Sequence, residues 1–428
     1  MKHFVFILLG LTGCASAPEP TWQPPPTFAE RPAINTTRTA TLEPRVDAYI
    51  AFALANRPDL SAAWARLSSS KSNRSVPSRF PEPMLMMSVL AYSDAIDPDL
   101  RSLGVEQAIP WPSRLSHGVE AANHRALADE AMTQAAALDV AQGVSIGFWD
   151  LWQTRRLRDL AREHLEVLKS LAEVTRSRVT TGQAALADQL QVDLATSRLE
   201  DDIASMDRAE SMAEARLRAL LGADGTVELP TPTNGPTPSV PDIDDATLKS
   251  TIAAHPSLKV FAENARASSR MAEVESSQGM PNFLVRAEWM KMNNEVMLGA
   301  GVSLPLWRSS YDDASDAMRA DALAKSYDGL AAADAALAEA RSQLAAIQDA
   351  TRRFSVLNST LVPQAEEAYQ ALIGAYAVGE TTIAQILLTQ RDILDLRISL
   401  VRTRFDFAVA SATLQKWTAR PIPTESQP

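Results

Sequence analysis

The chain has 428 residues, of which 46% are hydrophobic and only 6% aromatic, and its formal net charge is −11. That length could make two or three ordinary domains. The acidic balance, with no basic stripe, excludes nucleic acid as an expected partner, and a single cysteine excludes an intramolecular disulfide framework. No G-x-S-x-G, H-E-x-x-H or Walker-type stretch occurs, so no enzyme, resident metal or cofactor is expected.

Lys2 and His3 precede the apolar run Phe4 to Leu11, which is too short to span a bilayer and reads as a secretion signal, residues 1–13. The run ends in Leu11-Thr12-Gly13-Cys14, which resembles the bacterial lipobox, whose cysteine thiol receives a diacylglycerol before cleavage. Cys14 is then the lipidation site of a palmitate-bearing lipoprotein. The alternative is an ordinary signal peptide with a chance cysteine. By the same resemblance, Ala15 in place of Asp favours the outer membrane over the inner one. Each buried CH₂ adds about 0.8 kcal/mol, so more than one acyl chain anchors firmly. Residues 14–45 are rich in Pro and Thr and read as an extended tether.

Beyond residue 14 no apolar run is long enough for a transmembrane helix, so any crossing must use strands. Residues 46–222 and 245–418 form two copies of one pattern, separated by a Pro-rich linker at 223–244 and followed by a tail at 419–428. Ala55-Asn56-Arg57-Pro58-Asp59-Leu60 matches Ala253-Ala254-His255-Pro256-Ser257-Leu258, and Pro83 matches Pro281, both offset by 198. Ala108-Ile109-Pro110 matches Ser303-Leu304-Pro305 at 195, and Val179-Thr180-Thr181-Gly182-Gln183 matches Tyr376-Ala377-Val378-Gly379-Glu380 at 197. Four landmarks in the same order with little drift indicate a duplication. Each half is expected to run helix, strand, strand, long helix, helix.

In the first half the strands are expected at 84–91 and 102–109. The second alternates, with Leu103, Val105 and Ile109 on one face and Gly104, Glu106 and Ala108 on the other; the first alternates poorly (Met84, Leu85, Met86, Met87). Ser113 to about Val179 contains no proline and predicts a helix of roughly 65 residues, about 100 Å long. Gly182 marks the turn back, since glycine supplies the left-handed backbone that ends a helix. Leu199, Ile203, Met206, Ala213, Leu217 and Leu220 then follow 4-3 spacing, with Glu210 interrupting one core slot.

The second half repeats this more clearly. In strands expected at 283–291 and 296–304, Phe283, Val285, Ala287 and Trp289 alternate with Leu284, Arg286 and Glu288, and Val296, Leu298, Ala300 and Val302 with Gly299, Gly301 and Ser303. About nine residues suffice for a tilted membrane strand. The apolar face should then meet lipid and Arg286, Glu288 and Ser303 a lumen. Ser309 to Ser359 predicts another long helix with a kink near Pro363, a tip at Gly379, and a return helix patterned on Leu394, Ile398, Val401, Phe405, Ala408 and Ala412. Tyr92, Trp111, Trp289 and Trp307 at the strand boundaries suit an interfacial girdle or, alternatively, the core anchors of a soluble bundle.

Four strands cannot close a barrel, because about eight is the practical minimum, so other copies must complete the sheet. At this point the chain resembles the TolC-like outer-membrane factors, the exit ducts of tripartite efflux and type I secretion systems. The resemblance covers about residues 46–418. It rests on the duplicated half, the "N-P-x-L"-like openings Arg57-Pro58-Asp59-Leu60 and His255-Pro256-Ser257-Leu258, the paired strands, and the tips Gly182 to Gln191 and Gly379 to Gln390. It implies a mostly α chain with a small β part: long antiparallel coiled-coil helices forming a periplasmic α-barrel, plus four strands per chain in a trimeric 12-stranded membrane β-barrel. It further implies outer-membrane lipid around the barrel, a periplasmic adaptor (membrane fusion) protein at the tips, and an inner-membrane RND or ABC transporter beyond.

The resemblance places a gate at Thr181, Gly182, Gln183, Asp188, Tyr376, Gly379, Glu380, Thr381, Gln385 and Leu388. The family's first tip Asp falls on Asp188 and its aromatic on Tyr376, but its Arg falls on Thr381 and its two Asp positions on Gln385 and Leu388. Glu380, an Asp188 ring or the Leu388 side chains are left to close the constriction. Pro81-Glu82-Pro83-Met84 and Ile109-Pro110-Trp111-Pro112 resemble the metal-efflux branch, and seven of the thirteen methionines lie in or beside the strands. Thioethers suit soft ions, although methionine is equally an adaptable filler. His117, His124 and His164 read as packed or solvated rather than as metal ligands. The rival class is an exported helical scaffold or a periplasmic adaptor lipoprotein without a pore.

Overall fold

The structure, a computed structural model, describes residues 42–90, 99–223 and 227–418. Cys14 and its signal, nearly all of the tether, Tyr92 and the 419–428 tail lie outside the described residues.

Each half opens with two helices rather than one: α1 (Val46–Asn56) and α2 (Pro58–Ser72), then α5 (Asp245–Ala253) and α6 (Pro256–Gln278). The break falls at Arg57 and His255, both extended (ψ 125° and 139°) because a following proline clashes with helical backbone. Pro58 and Pro256 then take the first helical turn, where no backbone N–H is missed. A 3₁₀ turn at Asn73–Ser78 leads α2 toward the sheet.

The long helix α3 (Pro112–Thr180) is unbroken over 69 residues, about 100 Å, and returns as α4 (Leu186–Leu221). In the second half α7 (Arg308–Val356) passes through a π turn at Leu357–Leu361 into α8 (Val362–Ala377), with Pro363 in the first turn. The expected kink is thus a widened turn that absorbs the hydrogen bond proline cannot make. Helix α9 (Ile383–Thr418) returns. α3 packs on α4, α6 and α9, and α7 on α6 and α9.

One core lies where α1, α3 and α4 meet. Tyr49, Phe148, Trp149 and Trp152 form a chain of edge-on rings, with centroids 4.8, 5.0 and 5.9 Å apart, over Leu217 and Leu221. Its counterpart in the second half gathers Leu248, Ile252, Ala336, Ala340, Ile347, Phe407 and Leu414. Small alanines there let α7 and α9 approach closely. Glu210, which broke the 4-3 stripe, accepts from Arg155 Nε at 2.8 Å and pairs with Arg158 across α3 and α4. The Pro-rich linker packs against the first half. Leu229 is buried, Tyr49 Oη donates to the Pro230 carbonyl at 2.8 Å, and Arg155 Nη1 donates to the Leu229 carbonyl at 2.6 Å. Gly235 lies so close to the Trp152 indole that an added Cβ would sit 2.1 Å from it. A sequence rich in proline can be strapped down when its carbonyls find donors.

The four strands β1 (Met84–Leu90), β2 (Asp99–Ile109), β3 (Asn282–Met290) and β4 (Glu295–Ser303) form one antiparallel sheet in the order 1-2-3-4. β2 begins three residues before its expected start, at Asp99, and the β1–β2 register shifts between Ser88 and Val89. The two hairpins join through β2 and β3, from Ile109 opposite Phe283 to Ser102 opposite Met290.

Candidate functional site

Two features stand at opposite ends of α3: a pair of helical tips and a two-faced sheet. At the first tip α3 ends at Thr180, Gly182 takes φ +71°, and Gln183 N donates back to the Arg178 carbonyl at 2.8 Å. Thr181 Oγ1 donates into the same turn, to the Ser177 and Arg178 carbonyls. At the second tip Gly379 takes φ +82° and Glu380 N donates to the Ala375 carbonyl at 2.9 Å. Both close by the glycine C-cap pattern that satisfies the last carbonyls of a helix.

The other tip residues have distinct surroundings. Asp188 Oδ2 accepts from Ala185 N at 3.2 Å, so this carboxylate caps the start of its own helix. Thr381 Oγ1 donates to Gln385 Oε1. Glu380 and Gln385 are exposed, and Leu388 is 60% exposed. Tyr376 is buried with Leu171, Val192, Ile383 and Ile386, in a cluster that ties both tips into one unit.

Arg178 is the residue that sequence reasoning missed. Its Nη1 donates to the Tyr376 carbonyl at 2.7 Å and its Nη2 to the Ala377 carbonyl at 3.2 Å, while the guanidinium lies 4.5 Å from the Tyr376 ring. A cation on the last carbonyls of α8 also answers the negative end of that helix. The only sequence signal was a basic residue in the last turn of α3; its partner lies 198 residues away. A groove of about 640 Å³ runs beside it between α3 and α8, lined by Val167, Val174, Tyr369 and Ile373.

In the sheet, cross-strand register sorts the side chains. One face carries Leu85, Met87, Leu103, Val105, Phe283, Val285, Ala287, Trp289, Val296, Leu298 and Val302, nearly all apolar. The opposite face is mixed: Ser88, Ser102, Glu106, Arg286, Glu288 and Glu295 stand among Met84, Met86, Leu284, Met290 and Met297. There Arg286 Nε lies 3.5 Å from Glu106, its Nη1 lies 4.0 Å from Glu288, and Ser102 Oγ donates to Glu288 at 2.5 Å. Arg286 and Glu288 therefore share this face, while the tip residues form a separate group about a helix length away. Trp111 stacks on Phe283 at 6.0 Å, Trp289 donates to Asn294 at 3.1 Å, and Trp307 is 77% exposed. Leu298, Leu304 and Leu306 are also well exposed, so this end of the chain shows a large apolar surface.

Two of the three histidines lie beside carboxylates. His117 Nδ1 lies 2.9 Å from Glu273, His124 Nδ1 lies 2.7 Å from Glu263, and burial lowers the pKa of His164, with the nearby Arg397 charge acting in the same direction. Among the described residues no group of three or more His, Cys, Asp or Glu side chains could hold a metal ion. No helix among them is long and apolar enough to cross a membrane.

Residues 50–223 match the family model described as outer membrane efflux protein. The outer membrane efflux protein BepC of Brucella suis is 21% identical over 286 residues, which are 64% of this chain and 61% of that protein. This chain thus matches about three-fifths of that relative's length. Among solved structures, CusC superposes with a TM-score of 0.77 at 15% identity, covering 88% of this chain and 92% of that one. The open-state outer membrane channel MtrE of Neisseria gonorrhoeae gives 0.74 at 14%, covering 93% and 95%. These relatives are described as channels and efflux proteins, not enzymes.

Proposed function

We propose that this chain, whose fold is that of the TolC-like outer-membrane channels, is one protomer of a trimeric exit duct. In this reading an inner-membrane RND or ABC transporter and a periplasmic adaptor protein deliver cargo to the helical tips, and a β-barrel releases it outside. One observation carries the proposal. A four-stranded sheet with one apolar face and one face that carries Glu106, Arg286 and Glu288 has free outer edges at β1 and β4 among the described residues, and sits at one end of a helical rod about 100 Å long.

An open sheet edge in a bilayer leaves N–H and C=O groups unsatisfied, each costing several kcal/mol, so the edges must pair with other copies. Three copies place twelve strands around a lumen and their α3, α4, α7, α8 and α9 helices around a periplasmic tunnel. The Gly182 and Gly379 tips end that tunnel and present the adaptor-docking surface. Lipid on Cys14 would hold the tether at the same membrane. Arg178 closes the tip by holding α8 against α3, and the gate opens when docking displaces that contact.

The test is reconstitution. Purified protein should run as a trimer and conduct in planar lipid bilayers, whereas deletion of residues 84–109 should abolish trimerisation. A deletion variant that still trimerises and enters membranes would favour a helical scaffold instead.

A further inference from the structure

Where the sheet meets the helices, a groove of about 400 Å³ opens between the 3₁₀ turn at Asn73–Ser78, α3 and α6. Pro81, just before β1, and Pro110, just after β2, close its upper end. Its apolar lining includes Pro77, Leu115, Met271 and Val274. Arg79, Arg114 and Arg125 stand around these, and no carboxylate lines the groove. The chain as a whole carries −11, so the groove is a local reversal of sign. None of the three guanidiniums has an ion pair or hydrogen bond among the described residues. Arg155, Arg158 and Arg162 further along α3, by contrast, all meet carboxylates. A glycine seats the turn on α3: Gly118 is buried, and a Cβ there would lie 2.9 Å from Pro77.

Helix geometry decides which side of the wall the groove occupies. At about 100° per residue, Arg114, Gly118 and Arg125 fall within about 40° of one another on α3. Phe148 packs on Tyr49 of α1, and Trp152 on Gly235 of the linker. Those two rings fall about 140–180° from the arginines. On α6, Met271 and Val274 likewise lie opposite Leu258, which packs on the cluster holding Leu248 and Ile252 of α5. The groove is thus turned away from α1, α5 and the linker. Resting on the trimeric-channel reading, twelve helices about 9 Å apart make a ring about 17 Å in radius. Three copies of α1 and α5, each about 10 Å across, would fill such a ring. They therefore lie outside it, and the groove faces the tunnel.

The planar fork of arginine matches the two oxygens of a carboxylate. An apolar groove of this volume suits a body of one or two rings. We propose that Arg79, Arg114 and Arg125 form a binding site for aromatic carboxylates on the tunnel wall, directly below the sheet. The acid group sits on the guanidiniums and the rings lie against Leu115, Met271 and Val274. Cargo of that class is held there before it enters the barrel.

Calorimetric titration of the full-length protein in a neutral detergent tests this, with 2-naphthoate as the probe. Wild type should bind about one 2-naphthoate per chain, and the neutral isostere 2-naphthamide about tenfold more weakly or less. Arg114→Gln/Arg125→Gln should weaken 2-naphthoate by about tenfold or more and leave 2-naphthamide unchanged. Arg114→Lys keeps the charge without the fork and should retain part of the affinity. If the double variant fails to fold, Arg79→Gln, at an exposed position, should still weaken the acid and not the amide. Equal affinity for acid and amide, variants that bind 2-naphthoate as wild type does, or no binding at all would each overturn the site. A protein that binds 2-naphthoate as expected yet forms no conducting channel in planar bilayers would keep the site and overturn the exit-duct reading.

Discussion

His255 shows how much one side chain can carry. It caps α6, accepting from Ser257 N at Nδ1 (3.2 Å), and its Nε2–H donates to the Lys416 carbonyl at 3.0 Å beside the Trp417 ring. Those partners require the neutral ring. Burial lowers its pKa, the hydrogen bond to Lys416 opposes this, and the Lys416 charge lowers it further. With the folded pKa below the unfolded value of about 6.5, the unfolded chain binds the extra proton. The contribution is therefore complete above about pH 6.5 and is lost as pH falls through the depressed folded pKa. Thermal unfolding of the helical signal should shift to lower temperature between pH 7.5 and pH 5. His255→Asn, which keeps a capping acceptor, should shrink that shift; an equal shift in the variant would refute the assignment. Arg178 is the second residue of this kind. Arg178→Ala removes two hydrogen bonds and a ring contact, about 1–3 kcal/mol. It should raise closed-state conductance, and Arg178→Lys should restore only part of the closure because lysine lacks the planar fork. Closed-state conductance equal to wild type in Arg178→Ala would remove Arg178 from the gate.

At the scale of elements, the two tips depend on backbone geometry rather than on packing. Gly182 and Gly379 are both left-handed, and nothing lies within 4 Å of the place a Cβ would take. Substitution there costs backbone strain alone, about 1–2 kcal/mol for an ordinary residue. Gly379→Asn should therefore lower the unfolding temperature less than Gly379→Val, because asparagine tolerates this region. If the two variants melt alike, tip strain is not the controlling quantity. Asp188 and Leu388 are the gate candidates on the return helices. Asp188→Ala removes both charge and cap, whereas Asp188→Asn keeps a capping acceptor. If charge closes the gate, both should enlarge closed-state conductance; if the cap matters, only the alanine variant should. Leu388→Ala should enlarge it if apolar side chains close the constriction. Unchanged conductance in all three variants would place the gate elsewhere.

The elements also show what could be read in advance. The alternation Phe283, Val285, Ala287, Trp289 sufficed for β3 because a half-buried strand must repeat every two residues. For β1 it did not, since Met84 to Met87 are all apolar; its faces come from pairing Met84 with Glu106 and Ser88 with Ser102. Glu210 looked like a defect in a helical stripe until Arg155 and Arg158 on α3 were seen beside it. The packing of the linker at 223–244 had no sequence signal, because the donors that bind it, Tyr49 and Arg155, lie far away in sequence.

At the scale of the whole molecule, the long helix α3, the strands β3 and β4 and the tip glycines rest on local or periodic properties, and so they were legible in the amino-acid order. The chain's acidity, its single cysteine and its Phe4 to Leu11 run likewise needed no folding to interpret. Tertiary structure alone decided which distant groups meet. It joined the two hairpins through β2 and β3, brought Arg178 onto the end of α8, strapped the linker across Trp152, and set Glu106 beside Arg286. Periodicity constrains neighbours a few residues apart, whereas a hydrogen bond or ion pair spanning 180 residues depends on how the helices and strands pack.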